Sequence, residues 1–130
     1  MSRTTINRLV KDYADSIGYG FESEIIPRSL AGGTKYPFIL LQTPTSDYDG
    51  AKRITKYPST IYIVGDAGKR DVTELLDELQ DHALNLHRAM QRDARVFADS
   101  TFTARPMTGF DNTTTHAIEV TINIYCDGGC

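Results

Sequence analysis

The sequence contains no tryptophan, only two cysteines and no long apolar run. Its longest apolar stretches, residues 38–41 and 61–64, are far shorter than the roughly 20 residues of a membrane-spanning helix, so we expect no membrane anchor. Cys126 and Cys130 are too few for a disulfide framework, and we expect both thiols to be free. Charged residues interrupt the N-terminal region, so we also expect no signal peptide and a protein that stays in the cytoplasm where it is made.

Positive charge is not in excess either. The 130 residues include 14 Lys and Arg against 17 Asp and Glu, which gives a net charge of −3. A protein that mainly binds nucleic-acid phosphates is expected to be basic, because counterion release drives that binding. The composition therefore argues against a nucleic-acid-binding protein. With 40% hydrophobic and 24% charged residues, residues 1–130 are predicted to form a single globular domain.

Two segments have the apolar periodicity of amphipathic helices. The first is predicted over residues 5–17 and ends at Gly18. The second is predicted over residues 71–93, where Asp71 and Glu74 have the spacing of an N-terminal capping pair and apolar residues recur for about five turns. This long helix is the clearest element in the sequence.

The long helix is also polarised in charge. Carboxylates crowd its first half, whereas Arg88, Arg92 and Arg95 lie at or just beyond its end. This distribution complements the helix dipole and is sufficient to explain a solvent-facing stripe on a monomer. It also suits head-to-tail contacts between identical subunits, which can close into rings.

The remaining regular elements are predicted to be strands. We expect them over residues 20–26, 38–41, 59–64, 96–105 and 116–126. The last strand alternates apolar and polar residues, so one of its faces is buried. The order α-β-β-β-α-β-β predicts an α+β fold, with an antiparallel or mixed sheet of about five strands packed against two helices. The strands that flank the long helix could be neighbours joined by a right-handed crossover.

Residues 42–57 form a polar segment that is long for a loop in a compact domain, and such loops often carry function. Tyrosine and arginine are common anchors of protein interfaces. The candidate interface residues are Asp47, Tyr48, Asp49, Lys52, Arg53 and Tyr57 in this segment and Arg88, Arg92 and Arg95 at the end of the long helix. The alternative for the segment is a solvated hairpin arm without a binding role.

One turn has part of the pattern of a phosphate-binding loop. Gly68 and Lys69 lie between a predicted strand and the long helix. A Walker loop also needs a glycine where this chain has Ile63 and a serine or threonine where it has Arg70. We therefore interpret the segment as a tight turn, although a helix N-terminus attracts anions in general.

The histidines and cysteines do not form a convincing metal site. His82 and His87 are five residues apart, which separates them by about 140° around a helix, so they cannot face one metal ion. His116, Cys126 and Cys130 lack the second paired ligand of a typical zinc site. We predict no catalytic, cofactor-binding or metal-binding residues, and no cofactor.

The chain as a whole resembles a known family. An amphipathic N-terminal helix, a strand region with a charged arm over residues 21–64, the long helix and a final strand pair ending in EVTINIYC follow one another in order. This order, together with the size of the chain, resembles the tail terminator and tail-completion (head–tail joining, neck) proteins of long-tailed bacteriophages. The resemblance covers nearly all of the sequence but rests on no invariant motif.

The resemblance implies a non-enzymatic virion subunit of the tail or neck, which is present in the host cytoplasm during assembly. Such a subunit forms a homo-oligomeric ring, typically a hexamer, that caps the tail tube at the head–tail interface. Its implied partners are its own copies, the tail tube protein and neck or connector proteins. DNA would pass through the lumen without specific binding, and no membrane is involved.

Two other classes of function remain open on the sequence alone. One is a small cytoplasmic α+β enzyme or ligand-binding domain with its site at the turn of residues 65–71 or beside His116. The other is a host-directed adaptor or inhibitor, which binds a cellular protein without forming a ring.

Overall fold

The computed structural model describes residues 2–24, 36–43, 45–109 and 113–127. Within these ranges the chain forms two helices and a mixed sheet of seven strands, which confirms the predicted α+β fold. In chain order the elements are α1 (Ser2–Ser16), β1 (Gly20–Glu24), β2 (Phe38–Gln42), β3 (Asp47–Asp49), β4 (Ile54–Asp66), α2 (Val72–Arg92), β5 (Phe97–Ala98), β6 (Thr103–Thr108) and β7 (Thr115–Asp127).

The sheet is built around β4 and β7, which pair antiparallel along all 13 residues of each strand. The strand order is β1-β2-β4-β7-β5, with β3 paired to β4 and β6 paired to β7. In the described part of the chain, only β1 and β2 run parallel to each other. The strands before and after α2 are β4 and β5, and β7 lies between them, so the idea that they are neighbours is wrong.

Both helices cover the same face of the sheet. The odd-numbered residues of β4 and the even-numbered residues of β7 project toward them, because successive strand residues point to opposite faces. The core between sheet and helices includes Ile39, Leu41, Ile61, Ile63, Ile118, Val120, Ile122 and Ile124 from the strands, Ile6, Leu9 and Val10 from α1, and Leu75, Leu79, Leu86 and Met90 from α2. The β-branched residues suit the pleated surface, and the helical leucines fill the space above it.

The opposite face carries a smaller apolar cluster at one end. Phe38 and Leu40 of β2, Val64 of β4 and Ala117 of β7 are buried there, and other side chains that pack against them include the half-buried Tyr62. Strand β2 is therefore buried on both faces, which explains why its sequence is a continuous apolar run rather than an alternating one.

The helices begin and end close to the predicted positions. Helix α1 ends at Ser16 and is followed by Gly18 with a φ of 76°, a conformation that glycine adopts without steric cost. The carboxylate of Asp71 caps α2 by accepting a hydrogen bond from the Thr73 amide at 3.3 Å. Among the described residues, neither helix is long and apolar enough to cross a membrane.

Candidate interaction surface

The segment predicted as a long loop is largely a β-hairpin. Strand β3 pairs antiparallel with the start of β4, from Asp47 opposite Lys56 to Asp49 opposite Ile54. The prediction of a loop over residues 42–57 is therefore wrong, because residues 47–56 form a hairpin, and the binding role of this segment stays a prediction. We call residues 47–56 the arm.

Local hydrogen bonds fix the tip of the arm. One carboxylate oxygen of Asp49 accepts hydrogen bonds from the backbone amides of Ala51 at 3.0 Å and Lys52 at 3.2 Å. Arg53 has a φ of 55°, so the chain enters β4 through a left-handed residue. The side chain of an aspartate thus closes the turn, as is common in tight turns.

Five of the predicted interface residues lie on the arm and are exposed, namely Asp47, Tyr48, Asp49, Lys52 and Arg53. Tyr48 is 62% exposed, which is unusual for a large aromatic side chain in a folded chain. Tyr57 lies beyond the arm and is only 7% exposed. Because its side chain is buried, Tyr57 belongs to the core and not to the surface of the arm. The guanidinium of Arg3 lies 5.2 Å from the centre of its ring.

The three predicted arginines lie at or just beyond the end of α2. Arg88 and Arg92 are exposed on the helix. Arg95 follows the helix and donates hydrogen bonds to both carboxylate oxygens of Asp93, at 2.9 and 2.7 Å. These bonds hold the pKa of Asp93 below its ordinary value. Arg95 therefore already has a partner within the chain.

The sheet brings the arm and the segment after α2 to the same end of the molecule. Asp47, Lys56, Tyr125 and Phe97 are directly opposite one another on β3, β4, β7 and β5, so they share one face. Asp47 and Phe97, at the two ends of this row, are three strand spacings apart, a distance of about 14 Å.

Sequence reasoning missed Phe97, which is 61% exposed and lies directly after the buried Val96. The alternation of a strand gave the signal, because a buried residue at one position predicts an exposed one at the next.

The face of the arm forms an open groove of about 310 Å³. Its lining consists of Asp47, Tyr48, Asp49, Lys52, Ile54, Lys56 and Tyr125. The lining includes two carboxylates, two ammonium groups and two aromatic rings. Aromatic rings are enriched at protein interfaces, and charged groups such as these occupy the polar rim. Among the described residues, no cluster of three or more His, Cys, Asp or Glu side chains could hold a metal ion.

A second cleft, of about 240 Å³, lies at the turn of residues 65–71 that sequence reasoning considered as a ligand site. Arg70 lines it and pairs with Glu78 at 3.0 Å. Tyr19 lines it too, and its burial, aided by the charge of Glu78, raises the pKa of this tyrosine to about 12. His116 is buried on β7 and does not line this cleft, and its Nδ1 atom has no hydrogen-bond partner among the residues that the structure describes.

The two histidines of α2 contact different parts of the chain, as their spacing predicts. His82 Nδ1 lies 3.1 Å from the hydroxyl of Tyr13 on α1. His87 Nε2 lies 2.7 Å from the backbone oxygen of Asp99, which follows β5. Both side chains therefore help to hold α2 against its neighbours.

Comparison with known proteins identifies the fold but not a family. No protein-family model matches the sequence, and no curated protein matches it at a significant level. The fold is similar to that of a chain in the solved structure of the virion of a native gene transfer agent (GTA) particle, with a TM-score of 0.52 and 16% sequence identity. The similarity covers 89% of this chain and 84% of that chain, so the two share the architecture of the whole domain.

Proposed function

We propose that this protein is a structural, non-enzymatic subunit of a phage-like virion. The observation that carries the proposal is the fold, which matches a chain of a gene transfer agent virion over 89% of this protein. A fold by itself does not define a function, because one fold hosts many functions. The proposal therefore also draws on the surface of the molecule. Among the described aromatic side chains the most exposed are Tyr48 and Phe97, which lie at one end of the sheet.

More specifically, we propose a ring-forming tail terminator or tail-completion subunit at the head–tail interface. The order of helices and strands supports this role through the family resemblance of the sequence. The net charge of −3 also supports it, because a ring through which DNA passes benefits from a surface that does not bind phosphate. In this role the subunit forms a hexamer, caps the tail tube and joins it to the neck proteins.

The arm is the element that we propose to reach the neighbouring subunit. Its exposed Tyr48 and flanking charges resemble the aromatic and charged anchors of known interfaces. The outer edge of β6 offers a second contact, since among the described residues β6 pairs only with β7. An open strand edge can accept a strand from another chain.

Native mass spectrometry of the protein, alone and mixed with the tail tube protein, tests the proposal. We expect a ring of six copies, either free or on the end of the tube. Tyr48→Ala removes an exposed ring that makes no core contact, so it should prevent ring formation while the subunit stays folded. Lys69→Ala, which changes another exposed side chain away from the arm, is the control and should assemble normally.

A subunit that stays monomeric with both tube and neck proteins present, and binds neither, would contradict this role. A one-to-one complex with a cellular protein, without a ring, would instead favour a host-directed adaptor.

A further inference from the structure

The outer face of α2 carries an ordered row of exposed side chains. Asp77, Asp81, Leu84, Arg88 and Arg92 are all exposed. At about 100° per residue they fall within a sector of about 80°, directly opposite the residues that α2 buries against the sheet. Leu84, at the middle of the row, is 40% exposed. The row is thus acidic at one end, apolar in the middle and basic at the other end.

The helix dipole favours the overall polarity of α2, but it does not account for the inner charges of this row. Its effect is confined to the first and last turns of a helix, whereas Asp77, Asp81 and Arg88 lie further inside. Asp77 and Asp81 are also four residues apart, as are Arg88 and Arg92, and like charges at that spacing destabilise a helix. The chain therefore bears unfavourable pairs along its most exposed face.

The described parts of the chain do not neutralise these charges. Among the described residues, Asp77, Asp81 and Arg92 make no ion pair or hydrogen bond through their side chains. Arg88 donates a hydrogen bond to the neutral amide oxygen of Asn85 at 3.3 Å. The row is solvated in the isolated subunit, and its charges are available to a partner.

The row is symmetric in a way that identifies the partner. Asp81 and Arg88 are equally far from the point midway between Leu84 and Asn85, and so are Asp77 and Arg92. When a second copy of α2 lies antiparallel across this midpoint, each of the two carboxylates in the row is level with a guanidinium of the other helix. Leu84 then meets Leu84 of the second copy at the centre.

We propose that α2 forms an antiparallel, two-fold symmetric contact with α2 of a second copy of this chain. Leu84 is its apolar centre, and Asp81 pairs with Arg88 and Asp77 with Arg92 across the interface. In a head-to-tail contact, the acidic half of one helix would pair with the basic half of the next, and the other half of each helix would stay unpaired at that interface. The antiparallel arrangement pairs the charges of both halves at once. A two-fold contact closes after two copies, so it is distinct from the contact that would build a ring.

The contact is small and its ion pairs are solvent-exposed, so we expect a weak, salt-sensitive association.

Covalent trapping detects such a contact better than sedimentation. Leu84→Cys, made together with Cys130→Ser, places one thiol at the two-fold centre. Mild oxidation should link two copies rapidly through this single cysteine, because a residue on a two-fold axis meets its own copy.

Thr73→Cys, made in the same Cys130→Ser protein, is the matched control. Thr73 is exposed near the start of α2, but the antiparallel contact places its two copies about 34 Å apart, since each helical residue advances the chain by about 1.5 Å. This variant should link at least tenfold more slowly than Leu84→Cys. Equal rates for the two cysteines would overturn the proposal, whether the face is free or binds a different protein.

Charge reversal tests the pairing itself. In the Leu84→Cys protein, Asp81→Arg places an arginine against Arg88 of the second copy and should slow linkage by about tenfold, a change expected when two ion pairs become repulsive. Adding Arg88→Asp restores opposite charges and should return the rate to within about twofold of the parent. A double variant that stays as slow as the single one would overturn the proposal.

Discussion

The long strands β4 and β7 pair along their whole length, yet their two ends lie in different surroundings. At one end, Ile61 and Ile63 face Val120 and Ile118 beneath both helices and are fully or almost fully buried. At the other end, β4 begins in the arm, whose β3 residues are all exposed, although Ile124 and Cys126 of β7 stay buried on the helix side. The backbone ladder is continuous, so the difference lies in what covers the side chains.

This comparison separates what holds the subunit together from what it offers to others. Full burial of an isoleucine stabilises a fold by about 1.5–3 kcal/mol relative to exposure, whereas exposed side chains contribute little. Stability therefore belongs mainly to the covered end, and changes at the arm leave the subunit folded. The arm is free to carry residues chosen for contact.

Ile63→Ala should give the largest effect at the covered end. It removes buried methyl groups between α1, α2 and the sheet, so we expect the free energy of unfolding to fall by about 3 kcal/mol. Urea denaturation followed by circular dichroism measures this change. Tyr48→Ala at the arm should alter the same quantity by less than about 0.5 kcal/mol.

Ile63→Val serves as the graded control, because it removes one buried methyl group and should cost about 1 kcal/mol. Equal losses for Ile63→Ala and Tyr48→Ala would mean that the arm is part of the folding core and would remove the distinction between the two ends.

The covered end should also show an alkaline transition that depends on Tyr19. Its pKa is raised to about 12, mainly by burial, from an ordinary value of 10.0. Between these pH values the folded chain keeps the phenol proton and the unfolded chain loses it, so stability falls as pH rises through this window. Because the ring is half-exposed, we expect a loss of about 1 kcal/mol, less than the full pKa shift implies.

Tyr19→Phe removes this group and should make the decline above pH 10 shallower by that amount. The two proteins differ only in the hydroxyl of residue 19, so the difference between the two pH profiles isolates Tyr19. Parallel profiles for wild type and Tyr19→Phe would show that its proton is not linked to folding.

The covered end was also the part that the sequence predicted best. The 3.6-residue periodicity of α1 and α2 and the alternation of β7 arise because one side of each element is buried. Their boundaries fall within a few residues of those expected from the sequence. Where only one side of an element is buried, the spacing of apolar residues along the sequence shows which side that is.

The arm end was predicted less well because its strands are not defined by burial. All three residues of β3 are exposed, so no apolar pattern identifies it. A strand was expected over residues 59–64, but β4 begins at Ile54 and includes Pro58. Among the described residues neither β2 nor β3 pairs with Pro58, which explains why a missing amide is tolerated there.

The prediction for the segment after α2 was wrong for a related reason. Residues 96–105 were expected to form one strand that ends before Pro106, but the structure has the two strands β5 and β6, and β6 continues to Thr108. Among the described residues β6 pairs on one side only, so a proline fits within it. The candidate interface was identified by residue type, which is why the buried Tyr57 was included and the exposed Phe97 was not.

Asp49→Ala should give the smallest global effect and the sharpest local one. The free energy of unfolding should change by less than about 0.5 kcal/mol, because Asp49 is exposed at the end of β3. The amides of Ala51 and Lys52 lose their acceptor, so their hydrogen exchange should speed up about fivefold, the equivalent of about 1 kcal/mol. Asp47→Ala makes the same change in charge on the same strand and should leave both amides as they are. Faster exchange in both variants would mean that charge, and not the Asp49 turn, orders the tip of the arm.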